Sequence, residues 1–493
     1  MEPGSLILVV ASILLAAVAT AGLASRAGVP VLVAFLGVGM VLGSEGPGGI
    51  AFDDPDVART AGTVGLAVIL LEGGLTTPWR AIRPVLLPAG LLSTVGVLAS
   101  AAITGAVARL VFPLSWPAAF LLGAVVASTD AAAVFATLRY TALRRRLARV
   151  LEAESGANDP LAVALTLGLV EWIQNPGFGA SDLTLLVVRQ LGLGLVVGVG
   201  VGALAAAALV RLPAVLVPFA PVASLATGGF AFGVADLVGG SGFLAVYVVG
   251  LWIGNTATPL RRSLVAFHQG TAFLAQVGLF IVLGLFVFPS RLGPVVLPGL
   301  AVTAVLVLLA RPLGVWLSTQ LQPFTARERL FLAWGGLRGA VPIVLATFPQ
   351  AEGIAASSTI FDAVFFVVLA SAVLQGPTLE PVARALGLTT RARPVYQPPL
   401  EIAAVDSLGS DLLEFFVHAD AAVAGKLVRD LDLPDDTLVA VVVREDEAIL
   451  PRGSTRIEAG DRLYVLSREE TRARVRRLFE TWERPVSTDA DAG

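Results

Sequence analysis

Along residues 1–390 apolar side chains come in long runs separated by short polar stretches. Measured against the ~20 residues that cross a hydrocarbon core, these runs predict membrane spans near 5–24, 29–43, 61–77, 85–108, 116–136, 150–173 and 184–210. A second group is expected near 215–235, 241–255, 271–289, 294–318, 326–348 and 358–384, about thirteen spans in all. Two of them are interrupted at mid-depth. LLGAVVASTDAAAVFATL carries Ser128-Thr129-Asp130 at its centre, and FLAWGGLRGAVPIVLATF carries Gly335-Gly336-Leu337-Arg338-Gly339. Non-helical backbone at membrane depth is tolerated only where protein or a water-filled cavity surrounds it, so both breaks predict one central polar cavity. The interrupted spans are the fifth of two six-span halves joined by span seven, and an odd connector gives the halves opposite topology. That is an inverted repeat, the sequence pointer to a transporter site.

Past residue 390 the pattern changes. Pro394-Val395-Tyr396-Gln397-Pro398-Pro399 marks an extended linker over 391–400. In 401–484, LLEFFVH, TLVAVVV and RLYVLS read as strands, VAGKLVRDL and REETRARVRRLFETW as helices, and Glu458-Ala459-Gly460-Asp461 as a turn, giving a small α+β domain. The tail 485–493 has no apolar content and is expected to be disordered.

Composition agrees with lipid as the main solvent: the chain is 56% hydrophobic and 14% charged, against ~25% charged for a soluble domain. Its net charge of −3 hides a partition between an apolar part with scattered arginines and a mixed-charge carboxyl-terminal part. With no cysteine, disulfides, thiolate metal sites and cysteine nucleophiles are excluded. The start, Met1-Glu2-Pro3, has no basic region ahead of its apolar run and no small-residue cleavage site, so the first run is read as a retained span. The arginines sort by loop. Arg26, Arg80, Arg83, Arg139, Arg144, Arg145, Arg146, Arg149, Arg211, Arg261, Arg262, Arg327 and Arg329 fall on one side, with Asp53, Asp54 and Asp56 opposite. Cytoplasmic loops hold the excess of Arg and Lys, which predicts a multi-pass prokaryotic inner-membrane protein with its amino terminus outside and its carboxyl-terminal domain cytoplasmic.

An ionised side chain at the bilayer centre costs at least ~2.5–3.5 kcal/mol, so intramembrane Asp, Glu and Arg pair with each other or line an ion path. Here Asp130, Glu154, Asp159 and Arg338 cluster with Ser155 and Asn158. Glu154 and Asn158 are four apart and share a helix face, with Ser155 and Asp159 beside them. The competing reading is that these groups cap or anchor helices near an interface. It fits Asp159 worst, because Pro160 and a long apolar run follow it, and Glu154 better, as a carboxylate in a first helical turn. Asn158 also reads as a hydrogen-bonding strut, and Thr129 and Ser155 as partners for backbone groups at a break. Glu72 in VILLEGGL is either an accessory polar contact on the access path or a charge near a span end. His268 and His418 have no visible partner and are read as structural; Asp236 and Asp362 receive no role.

Three stretches in these spans, Thr129-Asp130, Glu154-Ser155-Gly156-Ala157-Asn158-Asp159 and Gly336-Leu337-Arg338-Gly339-Ala340, make the chain resemble the NhaP-type monovalent cation/proton antiporters, relatives of the sodium/proton exchangers, over residues 1–390. The resemblance implies an all-α polytopic membrane protein with an inverted-repeat, NhaA-like fold and two broken crossing helices. It implies that Asp159 binds either a proton or the cation, with Glu154, Ser155 and the backbone oxygen of Thr129 as further cation ligands. Asp130, Asn158 and Arg338 would hold the crossing together. It also implies a homodimer in which a core bundle moves against a scaffold, and the Asn158-Asp159 pair implies electroneutral exchange. Ala131 departs from the proline that many relatives carry there, without removing a ligand. Residues 401–484 resemble the TrkA-C module of RCK-type potassium-transport regulators, through Gly425-Lys426-Leu427, Leu431-Asp432-Leu433-Pro434, Ile449-Leu450-Pro451-Arg452-Gly453 and Gly460-Asp461-Arg462-Leu463. That implies either a regulatory domain for a nucleotide or cyclic dinucleotide or a dimerisation device. No other cofactor and no nucleic-acid partner is expected.

Burial favours the neutral form of a carboxyl and a neighbouring cation the charged form, so proton and cation compete for one group. The leading expectation is a potassium/proton antiporter, with sodium/proton exchange at the same site as the alternative. An RCK-gated cation channel is disfavoured, since no filter of the TVGYG type is present. A membrane hydrolase lacks a zinc His pair or a nucleophile–base set, and no enzyme activity is expected.

Overall fold

The computed structural model describes residues 3–27, 31–138, 142–258, 260–390, 410–417, 421–444, 447–468 and 470–482. The expected linker, the tail and His418 lie outside the described residues. The chain divides into two compact units, 1–394 and 395–493.

The first unit is helical. Its helices are α1 (Pro3–Ala27), α2 (Val31–Leu42), α3 (Pro55–Thr76), α4 (Trp79–Val111), α5 (Trp116–Ala127), α6 (Ala131–Thr137), α7 (Arg145–Gln174) and α8 (Ala180–Val210). They continue with α9 (Ala220–Leu237), α10 (Gly242–Gly254), α11 (Arg261–Leu285), α12 (Pro289–Thr319), α13 (Ala326–Trp334), α14 (Ala340–Ala351) and α15 (Ser357–Ala385). Among the described residues, seven helices are long and apolar enough to cross a membrane, and shorter apolar helices accompany them. Local chemistry sets the starts. Asp54 caps α3, accepting from the amides of Asp56 at 2.9 Å and Val57 at 3.2 Å, with Pro55 in the first position. Thr325 and Glu328 form a capping box at α13.

The helices pack as two sets. In the first, called the frame, α10 lies against α3, α8 and α9, α11 against α2 and α3, and α1 against α2. In the second, called the bundle, α5 lies against α4 and α7, α12 against α4, and α15 against α12 and α14. The seam between them runs mainly along α3 on α14 and α8 on α7.

Three local features differ from the sequence reading. Helix α7 begins at Arg145, so Arg145, Arg146 and Arg149 are already helical and Glu154 sits well inside the helix rather than in its first turn. A short antiparallel pair, β1 (Ala142–Leu143) with β2 (Thr389–Thr390), straps the approach to α7 onto the segment after α15. Residues 423–431, expected as a helix, contain only a 3-10 turn at Val428–Asp430. Their backbone groups pair elsewhere: the amides of Gly425 and Val428 reach the carbonyls of Ile457 and Thr455 at 2.8 and 2.9 Å, and Gly425 adopts φ +87°. Long-range pairing with 453–457 outcompetes the local ladder.

The second unit is a four-stranded antiparallel sheet of β3 (Ser410–Phe416), β4 (Thr437–Arg444), β5 (Glu447–Ile449) and β6 (Arg462–Arg468), in the order β3-β6-β4-β5, with α16 (Arg472–Trp482). Strand β5 was not expected from the sequence. Val439 and Val442, on either side of a register shift in β4, and the alternate positions Leu463 and Val465 of β6 meet Phe415, Val475 and Trp482 in its core.

Candidate functional site

Helix α5 stops at Ala127 and the chain runs extended through Ser128 before restarting at α6, whose first turn is capped by Asp130; its Oδ1 accepts from the amide of Ala133 at 3.0 Å. The second break, residues 335–339, lies between α13 and α14. The two breaks bond to each other. The amide of Asp130 donates to the carbonyl of Leu337 at 2.8 Å, and Nη1 of Arg338 donates to the carbonyl of Ser128 at 3.1 Å. Backbone groups freed at one break are thus satisfied at the other, which is how irregular chain survives at this depth.

The glycines of the second break are explained by close approach. A β-carbon on Gly339 would run into the Asp130 carboxylate, and one on Gly336 would come within 2.8 Å of Nε of Arg311.

Helix α7 is fastened to the first break by three side chains. Ser128 Oγ donates to Oδ1 of Asp159 at 2.5 Å, Nδ2 of Asn158 donates to Oγ1 of Thr129 at 2.7 Å, and Ser155 Oγ accepts from the amide of Ala131 at 3.2 Å. All of 128, 129, 158 and 159 are buried.

The helical period then splits the cluster into two faces. Ser155 and Asp159 face a cavity of about 220 Å³. Glu154 and Asn158 lie behind it. Glu154, expected among the cation ligands, instead spends both carboxylate oxygens on Arg311: Nη1 pairs with Oε1, and Nη2 donates to Oε2 at 3.0 Å and to the carbonyl of Leu332 at 3.2 Å. Both side chains are buried, so this is a closed ion pair, with Nη2 also bonded to backbone and Nε left without a hydrogen-bond partner among the described residues. Arg311 was missed by the sequence reading although it stands alone in LVLLARPLGVW. The criterion that picked out Arg338 would have found it.

Of the expected residues, Asp130, Ser155, Asp159 and Glu72 line the cavity, and Thr129, Asn158, Glu154 and Arg338 do not. Opposite Asp159 the wall comes from the frame: Glu72 and Thr76 of α3, Thr77 just past its end, Tyr247 of α10 and Gln276 of α11. Glu152, paired with Arg149 at 2.6 Å, lies on the same face of α7 as Asp159. Gly156 completes that face. A β-carbon there would strike the phenol of Tyr247, and Pro160 has no N–H to give the Gly156 carbonyl. The lining is therefore rich in oxygen, carboxylate and hydroxyl, which suits a hard cation or a proton. His268, read as structural, is buried with Nε2 2.7 Å from Ser224 Oγ, away from this cavity.

The sodium/hydrogen exchanger transmembrane family model matches residues 13–385, and the TrkA-C domain model matches 412–480. The chain is 39% identical over 461 residues to the K(+)/H(+) antiporter NhaP2 of Shewanella sp. (strain MR-4), covering 92% of this chain and 80% of the relative. It is 37% identical over 468 residues to the K(+)/H(+) antiporter NhaP of Alkalimonas amylolytica, covering 93% and 80%. Among solved structures, the sodium proton antiporter MjNhaP1 of Methanocaldococcus jannaschii at pH 8 matches with a TM-score of 0.66 and 26% identity, covering 77% of this chain and 99% of that one. With its breaks, its Asn-Asp pair and this match across the helical unit, the chain belongs to the sodium/hydrogen exchanger family.

Proposed function

We propose that this protein is a secondary antiporter that exchanges potassium for protons, with Asp159 as the carboxylate for which the two compete. The observation that carries the reading is the position of Asp159: it lines an oxygen-rich cavity while fastened by Ser128 to the crossing of the two broken helices. The potassium assignment follows from relatives named potassium/proton antiporters, at up to 39% identity over 92% of the chain.

In this reading Asp159 and Ser155 bind the ion, with the backbone oxygen of Thr129 and Glu72 as further oxygens. Asp130, Asn158 and Arg338 hold the crossing. Glu154 acts through Arg311 rather than on the ion. If the bundle moves against the frame only when Asp159 is neutralised by a proton or a cation, exchange follows with no further machinery. One titrating carboxyl per cycle makes it electroneutral.

Thirteen crossings form two inverted halves. In support, α4 and α12 each carry a 3-10 turn near their start, Arg83–Val85 and Gly293–Val295, and a π-helical turn further on, Leu92–Gly96 and Leu306–Ala310. The amino terminus is outside, the carboxyl-terminal unit is cytoplasmic, and the membrane is the prokaryotic inner membrane. Two copies form a homodimer, and the TrkA-C unit either binds a regulatory nucleotide or cyclic dinucleotide or serves that dimerisation.

Proton flux from proteoliposomes on adding potassium or sodium tests this directly. Potassium-driven flux should be present in the natural protein and absent in Asp159→Asn. Flux that persists in the variant would remove Asp159 from the mechanism, and flux driven by sodium alone would reassign the ion.

A further inference from the structure

The cavity beside Asp159 reaches only one end of the helical unit. Its lining on α3 is confined to 66–77 and on α7 to 152–159, which places it toward the carboxyl end of α3 and the amino end of α7. At the other end the two helix sets meet. Gly62 of α3 lies so close to Val344 of α14 that a β-carbon would come within 2.7 Å of Cγ1 of Val344, an apolar seal directly beyond the cavity residues Leu66 and Val341.

Past that seal, two polar contacts join frame to bundle. Arg59, one turn from Gly62 on α3, places Nη1 2.9 Å from Oε1 of Glu352 at the end of α14, while its Nη2 lies 3.2 Å from Oδ1 of Asp56. The backbone carbonyl of Glu352 accepts from Nε2 of Gln174 at 3.1 Å, tying the same corner to α7. Glu45, in the loop between α2 and α3, accepts from the amide of Ser290 at 2.8 Å and from its hydroxyl at 2.5 Å, at the start of α12. Among the described residues, the cavity-end ion pairs Arg149–Glu152, both on α7, and Arg144–Glu328, from its start to α13, stay within the bundle, while the Trp79 amide at the start of α4 donates to Oδ1 of Asn255 at 2.7 Å across the short α3–α4 connection.

We propose that the α3–α14 seam is the gate of the closed end, latched by Arg59–Glu352 and Glu45–Ser290, and that both contacts break each time the ion leaves on that side. The proposal rests on the antiport reading above. The side chains of Arg59 and Glu352 are 34% and 43% exposed, and solvated pairs of this kind are individually weak. Weakness is what a contact broken in every cycle requires. The contacts set which side Asp159 faces at rest without adding a deep trap.

The chain has no cysteine, so thiols can be introduced without background. In proteoliposomes, the pairs Arg59→Cys/Glu352→Cys and Glu45→Cys/Ser290→Cys should each lose potassium-driven proton flux when bridged by a bifunctional methanethiosulfonate, and regain it on reduction. Arg59→Cys alone, treated identically, should keep its flux. Mass spectrometry of the peptides measures bridging. Undiminished flux from either fully bridged protein overturns the latch, and if one pair does not fold, the other decides alone. Absence of cation-driven flux in the natural protein would instead defeat the antiport reading, so the two failures are distinguishable.

Discussion

Gly339 and Asp130 occupy nearly the same space: the carboxylate fills the position that a β-carbon on the glycine would take. Asp130 caps α6 from there, so the capping geometry and the glycine are one requirement. Gly339→Ala is expected to displace the carboxylate and destabilise the protein by about 1–3 kcal/mol, as overpacking does, with loss of exchange. Gly278→Ala, where nothing lies within 4 Å, should be near neutral. Thermal unfolding in detergent alongside flux distinguishes the two.

Arg311→Met would leave the Glu154 carboxylate buried without a partner. Removing one member of a buried pair destabilises by about 3–5 kcal/mol, whereas replacing both by apolar groups is often neutral. Arg311→Met should therefore unfold at lower temperature, and Glu154→Leu/Arg311→Met should recover most of the loss. If Glu154 serves Arg311 and not the ion, the double variant exchanges with an unchanged KM for potassium. A large rise in KM in a stable double variant would return Glu154 to the ligand set.

Gly156→Ala places a methyl group against the Tyr247 phenol on the cavity wall. Exchange should slow in Gly156→Ala and recover when Tyr247→Ala is added, a coupling that neighbours display and distant sites do not. Additive effects in a double-mutant cycle of flux rates would show that the ring is not the obstacle.

The Glu45 carboxyl is held below its ordinary range, first by the Ser290 hydroxyl, then by the Ser290 amide, with a smaller effect from Arg291. A depressed carboxylate stabilises the contact at all pH above its unperturbed value and loses it only as pH falls through the lowered one. Glu45→Gln should therefore leave the shape of the pH profile of exchange unchanged between about pH 6 and 9. A shift of that profile within this window would contradict the assignment.

The sequence carried the helical runs, both breaks and the whole Asn158-Asp159 cluster, because apolar length and misplaced polarity are local signals. Assignment of roles within the cluster was not local. Glu154 and Asp159 look alike in one dimension. They part company only because Ser155 and Asp159 share one face of α7 and Glu154 turns to Arg311, 157 positions away. Residues 423–431 failed for the same reason, since an apolar period consistent with a helix was overridden by pairing with 453–457. The β1–β2 strap and strand β5 are too short to leave a period at all.

The three bonds that fasten α7 to the first break all lie within the bundle, while Glu72, Thr76, Tyr247 and Gln276 reach the cavity from the frame. Under the proposed exchange the grip on the ion is therefore shared between two helix sets: Asp159 and Ser155 stay fixed to the crossing, while Glu72 belongs to the frame. Any sliding of one set past the other would part those carboxylates, so the geometry of the ligands and the position of the bundle are one variable.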